Sequence, residues 1–177
     1  HVIADIEAIY EVVYRVLDEL NEQGHLTQER VNYLAENYFA DNIQVFSIAV
    51  NWLARGEGSV FLQDANSLII KPDNLITILK HLKMRFPWIS RITSYARSHT
   101  INRISDDKLA ELAETGLNRI HIGMESGCDE VLKLTDKGVT KAHHIKAGQA
   151  VKKAGIELSE YVMPGLGGAD LSSEHAY

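Results

Sequence analysis

Cysteine is almost missing from this chain, with Cys128 the single one in 177 residues. One thiol excludes an intrachain disulfide, and it excludes a zinc or iron–sulfur centre built from cysteines of this chain alone. Positive charge is short as well. The 18 Lys and Arg residues against 24 Asp and Glu leave a formal net charge of -6, which gives no electrostatic reason to expect nucleic acid or an anionic membrane surface as a partner. A small-molecule ligand is the expectation. Long apolar runs are lacking too. Segments such as 60–62 and 67–70 fall far short of the roughly 20 residues a membrane helix requires, and no signal peptide opens the chain. A reducing, cytoplasmic setting fits this pattern. The first residue is His1 and not Met, and Val2 already lies on an amphipathic pattern, so the natural N-terminus is expected upstream.

What is present suffices for one sizeable core, since 45% of the residues are hydrophobic, and one domain overall is expected. Over residues 2–21, Ile6, Ile9, Val13, Val16, Leu17 and Leu20 recur at intervals of three and four, the mark of a helix with one buried face that Gly24 ends. Thr27 is placed to cap a second helix carrying Val31, Leu34 and Tyr38, and Asp41 a third running through Val45, Ile48, Ala49 and Leu53. After Gly56 and Gly58 the rhythm changes to short β-like runs at 59–63, 89–96, 117–124 and 156–163. Helical stretches lie between them at 73–86 behind Pro72, 105–115 closed by Gly116, and 140–154 closed by Gly155.

Strand, helix, strand is the order of a parallel sheet, so an open doubly wound sheet and a (β/α) barrel are the architectures to weigh. In 117–125, period two puts Ile120, Ile122 and Met124 on one face and His121, Gly123 and Glu125 on the other. A sheet covered by helices on both sides needs two apolar faces, whereas a barrel with a ligand inside tolerates a polar lumen face. The expectation is an α/β fold: a partial (β/α) TIM-like barrel of parallel strands over residues 58–177, with residues 1–57 as an N-terminal helical segment packing on it. The incomplete barrel leaves strand edges through which a homodimer could pair.

In parallel βα folds ligands bind at the C-terminal ends of the strands. The first strand ends in Asp64 and Asn66, which read either as ligand contacts or as a turn in which Asp and Asn bond their own following backbone. Tyr95 and Arg97 follow the second strand as weak substrate candidates, Arg97 being either a carboxylate clamp or an ordinary ion-pair partner. Glu125, a carboxylate on the lumen face, is either a ligand contact or bonded to a neighbouring strand. Gly165, Gly167 and Gly168 after the fourth strand can cradle a phosphate or ribose, or simply turn the chain. The eight histidines build no metal site; His143 and His144, adjacent on a helix, point about 100° apart and read as a solvated helix face. Cys128 precedes a helix start but has no obvious base beside it, and reads as a passive thiol.

Residues 60–68 (VFLQDANSL), 119–127 (RIHIGMESG), 129–134 (DEVLKL), 137–140 (KGVT) and 161–168 (YVMPGLGG), in this order, resemble the core of radical S-adenosylmethionine (radical SAM) proteins. The nearest group is their broad set of iron–sulfur oxidoreductases. The resemblance covers most of the chain from Val60 onward. It implies a partial (β/α) barrel that holds S-adenosylmethionine against a four-iron, four-sulfur (4Fe–4S) cluster and cleaves it reductively to a 5′-deoxyadenosyl radical. By position it places Asp64 and Asn66 where the family's Gly-Gly-Glu motif meets the methionine amino group, a motif from which this sequence departs. Glu125 and Ser126 correspond to ribose-binding residues, and Tyr161, Met163 and Pro164 to the segment near the adenine. The family's CxxxCxxC cluster loop is absent, so this chain is expected to supply cofactor-binding wall, no metal ligand and no catalytic residue, and to be inactive alone. Two alternatives remain open. An aldolase-like or phosphate-binding barrel would need a base or a Schiff-base lysine on a strand, and every lysine here falls on a helix or loop; a degenerate barrel would serve only as an interaction module.

Overall fold

The structure, a computed structural model, describes residues 1–56 and 58–176. The chain divides into two compact units, His1–Gly58 with His81–Ile89, and Ser59–Lys80 with Ser90–Tyr177.

The first unit contains α1 (Val2–Gln23), α2 (Gln28–Tyr38) and α3 (Ile43–Ala54). The three-and-four spacing in α1 does bury Ile6, Val13 and Val16, together with Val12. Gly24 ends the helix in a left-handed conformation, φ 72°, with its N–H donated to the Leu20 carbonyl. The Thr27 hydroxyl oxygen accepts the Arg30 N–H at 3.2 Å and caps α2. Asp41 is not the cap of α3: it lies within a short 3-10 turn, Ala40–Asn42, and Asn42 takes the cap position without a side-chain bond. Glu19, 8% exposed, is held by the Arg30 guanidinium, whose second bond is 2.9 Å, and this partner keeps the carboxyl below its ordinary value.

In the second unit the order is β1 (Ser59–Leu62), α4 (Pro72–Arg85, whose last residues belong to the first unit), β2 (Arg91–Ala96), α5 (Ser98–Ile101), α6 (Asp106–Glu114), β3 (Leu117–Glu125), α7 (Asp129–Leu134), α8 (Lys141–Lys153), β4 (Glu157–Val162) and α9 (Ser172–Ala176). Ser105 and Thr140 cap α6 and α8, Thr140 in a reciprocal box with His143. Among the described residues the strands form one parallel sheet in the order β1-β2-β3-β4.

That order decides the architecture. A doubly wound sheet reverses its strand order at a switch point, whereas strands added one after another with right-handed crossovers place every connecting helix on one face. This sheet is therefore a barrel segment. Its helix-covered face is apolar, with Ile92, Ala96, Ile120 and Ile122 at 3% exposure or less. The other face alternates as the sequence of β3 requires and carries His121 and Glu125. Among the described residues no helix is long and apolar enough to cross a membrane.

Candidate functional site at the strand ends

β3 lies second from one edge of the sheet and ends in an irregularity. Its register with β4 slips between Gly123, opposite Tyr161, and Glu125, opposite Val162. The slip is a bulge, a device that re-aims a side chain at the end of a ladder. Glu125 takes a φ of 66°, and the Ser126 N–H donates across it to the Met124 carbonyl at 2.8 Å, closing a tight three-residue turn. A side chain in the left-handed region is strained, and such strain collects where a group must be aimed. The turn is fixed from β4 as well, since the Glu125 carbonyl accepts the Met163 N–H at 3.0 Å.

The Glu125 carboxylate meets the Lys137 ammonium, which enters from the loop between α7 and α8. Both side chains keep about a quarter of their surface open, 26% and 23%. Gly123 makes room for them: a Cβ there would sit 3.4 Å from Lys137 Nζ and 3.6 Å from Glu125 Oε1. Lys137 binds Oε1, and Oε2 makes no bond to the described residues. Among the described residues that oxygen is an unpaired acceptor at the rim.

The other sequence candidates fall around this rim in different roles. Asn66 is occupied structurally: its Nδ2 donates to Thr100 Oγ1 and its Oδ1 accepts the Arg97 N–H, both at 3.0 Å, so it ties the loop after β1 to the loop after β2. Asp64 is exposed and lines a cavity of about 460 Å³ with Phe61, Gln63, Ala65 and Tyr95. Arg97 is exposed. Ser126 is fully buried, and its oxygen accepts the Cys128 N–H at 3.0 Å and lies 2.8 Å from His175 Nδ1. His175 Nε2 lies 2.8 Å from the Met163 carbonyl, which only accepts, so Nε2 donates there. Tyr161, Met163 and Pro164 are exposed at the end of β4, and Gly165 and Gly168 turn the following loop with φ of 81° and 62°.

Sequence reasoning missed two groups here. Lys137 was legible only as part of a motif. His144 is not on a solvated face: it is 3% exposed, with Nδ1 2.6 Å from the Ser98 hydroxyl, and burial, aided by Lys137, holds its imidazole below the ordinary value. Cys128 is buried at the start of α7, and its thiol donates to Glu130 at 3.2 Å.

A parallel barrel segment with helices on one face and polar groups gathered at its strand ends defines a (β/α) class of ligand-binding barrel. Comparison narrows the class. The Radical SAM superfamily profile matches residues 21–176, and the chain belongs to that superfamily. Two curated relatives are tRNA uridine(34) acetyltransferases. That of Methanocaldococcus infernus is 30% identical over 70 residues and that of Methanocaldococcus jannaschii 28% over 69, covering 40% and 39% of this chain. The matches span 13% of the length of either relative. Among solved structures, the archaeal Methanocaldococcus infernus Elp3 with an N-terminal deletion superposes with a TM-score of 0.53 at 16% identity, over 69% of this chain and 34% of that one. It shares the fold.

Proposed function

We propose that this chain forms part of the S-adenosylmethionine-binding wall of a radical SAM iron–sulfur oxidoreductase. The observation that carries the reading is Glu125: a carboxylate aimed by a strained turn at the end of an interior strand, with one oxygen held by Lys137 and the other, among the described residues, without a partner. Ribose presents two adjacent hydroxyl donors, the complement of that oxygen. Lys137 fixes the carboxylate, exposed Met163 offers an apolar edge beside it, and Asp64 lines a cavity with Phe61 and Tyr95 on β1 and β2. Reductive cleavage to a radical that abstracts hydrogen is the chemistry the cofactor supplies when bound in this family.

The 4Fe–4S cluster does not fit this chain. Cys128 is its one cysteine, buried and bonded to Glu130, and among the described residues no group of three or more His, Cys, Asp or Glu side chains could hold a metal ion. In this reading residues outside the chain hold the cluster, and the chain alone is inactive. A tRNA substrate, which the names of the two relatives carry, draws no support from a net charge of -6.

Isothermal titration of S-adenosylmethionine into the chain tests the reading. Saturable one-site binding is expected, weakened at least about tenfold in Glu125→Ala, since a charge-assisted bond to a ligand is worth about 1.5–3 kcal/mol, and unchanged in Glu130→Ala. Absence of binding, or equal binding by Glu125→Ala, overturns it.

A further inference from the structure

The left-handed turn at Glu125 is strained, and a strained turn persists only where its surroundings hold it. β4 holds it from one side, through the Met163 N–H donated to the Glu125 carbonyl at 3.0 Å. A second hold comes from beyond the strands. After Met163 the chain winds into a compact loop, with the Leu166 N–H donated to the Met163 carbonyl at 3.2 Å, the Gly168 N–H to Gly165 at 3.0 Å and the Leu171 N–H to Gly167 at 3.2 Å. Gly167 keeps the loop tight, since a Cβ there would sit 2.8 Å from the Leu171 carbonyl oxygen. The loop leads into α9, which brings His175 back to the strand ends.

His175 joins the ends of β3 and β4. Its Nε2 donates to the Met163 carbonyl at 2.8 Å, and its Nδ1 lies 2.8 Å from the hydroxyl of Ser126, 49 residues away along the chain. Ser126 is fully buried and its oxygen also accepts the Cys128 N–H at 3.0 Å, so this hydroxyl is occupied within the protein. The bonds make a circuit around the turn. It runs from the Glu125 carbonyl to Met163, from the Met163 carbonyl to His175, and from His175 to Ser126, the residue that follows Glu125. Opening the turn at Glu125 therefore requires the circuit to break, and the imidazole is the link supplied by a separate element.

We infer that His175 is a positioning residue for Glu125: through its imidazole α9 clasps the two strand ends, keeps the left-handed turn closed, and so sets the affinity of the carboxylate for its ligand. The inference rests on the proposed function for the identity of that ligand, S-adenosylmethionine; the clasp itself stands on the hydrogen bonds.

The test pairs amide hydrogen exchange with calorimetric titration of S-adenosylmethionine, on the chain and on variants of it. His175→Ala is expected to speed exchange of the Met163 N–H, which donates to Glu125, about tenfold, and to weaken binding about tenfold, the range of one or two hydrogen bonds. His175→Gln restores an amide donor for the Met163 carbonyl and is expected to recover most of both effects. Glu174→Ala, which removes an exposed neighbour bonded to Ser173, is expected to change neither. Since His175 acts through Glu125, its removal in a Glu125→Ala background should weaken binding no further. A helix that only covered the site would lose affinity equally in both backgrounds. Unchanged exchange or affinity in His175→Ala, no recovery in His175→Gln, or an equal loss in both backgrounds overturns the inference. The two claims fail separately: absence of binding by the wild type removes the proposed function, and exchange at Met163 alone then keeps or overturns the clasp.

Discussion

Replacing Glu125 separates the cost of its backbone from the use of its side chain. A non-glycine residue in the left-handed region costs about 1–2 kcal/mol, and Glu125 sits there with φ 66°. Its ion pair with Lys137 is about a quarter exposed on each side, so it returns no more than about 1 kcal/mol. Glu125→Ala loses the pair and keeps the strain. Glu125→Gly loses the pair and relieves the strain. Glycine is therefore expected to exceed alanine by about 1–2 kcal/mol in stability, which in a domain of this size is about 3–6 °C in Tm, although glycine ordinarily costs stability within a strand. Thermal unfolding followed by circular dichroism, with urea midpoints as a check, measures the difference. Both variants are expected to bind S-adenosylmethionine at least about tenfold more weakly than the wild type. An alanine variant as stable as the glycine variant would refute the strain argument, and recovered binding in the glycine variant would refute the role given to the carboxylate.

His144 makes stability depend on pH. Burial holds its folded-state imidazole below the ordinary value, while in the unfolded chain it protonates near about 6.5, so the unfolded state binds more protons and stability falls as pH drops from about 7.5 to 5.5. Urea midpoints across that window should fall less steeply in His144→Gln than in the wild type, and equal slopes would remove His144 as the cause. Thr140→Ala breaks the reciprocal cap of α8 and is expected to cost about 1 kcal/mol in urea unfolding; no change would mean the cap adds nothing. Gly167→Ala brings a Cβ within 2.8 Å of the Leu171 carbonyl oxygen, so it should loosen the 167–171 turn and speed hydrogen exchange at the Leu171 N–H, which donates to Gly167 at 3.2 Å. Unchanged exchange there would show that the turn adapts.

Local signals carried much of this fold in the sequence. Alternation in β3 separated Ile120 and Ile122 from His121 and Glu125, and the cap at Thr27 stands where its residue type put it, while Ser105 and Thr140, read as the first residues of helices, are their caps. What stayed hidden depends on chain segments meeting in space. Lys137 reaches Glu125 from 12 residues away, and His144 is buried by Ser98 from 46 residues away, against a local pattern that read as solvated. The left-handed turn at Glu125 gave no sign, because glutamate is not a residue that announces positive φ. The packing of Phe61, Tyr95, His121 and Tyr161, one ring from each strand, needs the register of every strand in the sheet before it can be seen. Asp41 failed as a cap because a 3-10 turn precedes α3 and shifts the helix start to Asn42.

The methyl spectrum of the chain tests the cofactor wall most directly. Its 3 methionines give one resonance each, with Met163 51% exposed at the end of β4 and Met84, 63% exposed, on α4. Titrating S-adenosylmethionine into methyl-labelled protein should shift Met163 saturably, leave Met84 in place, and move the midpoint of the Met163 shift to at least about tenfold higher concentration in Glu125→Ala. A still Met163, or an unchanged midpoint in Glu125→Ala, would contradict a cofactor site at the strand ends.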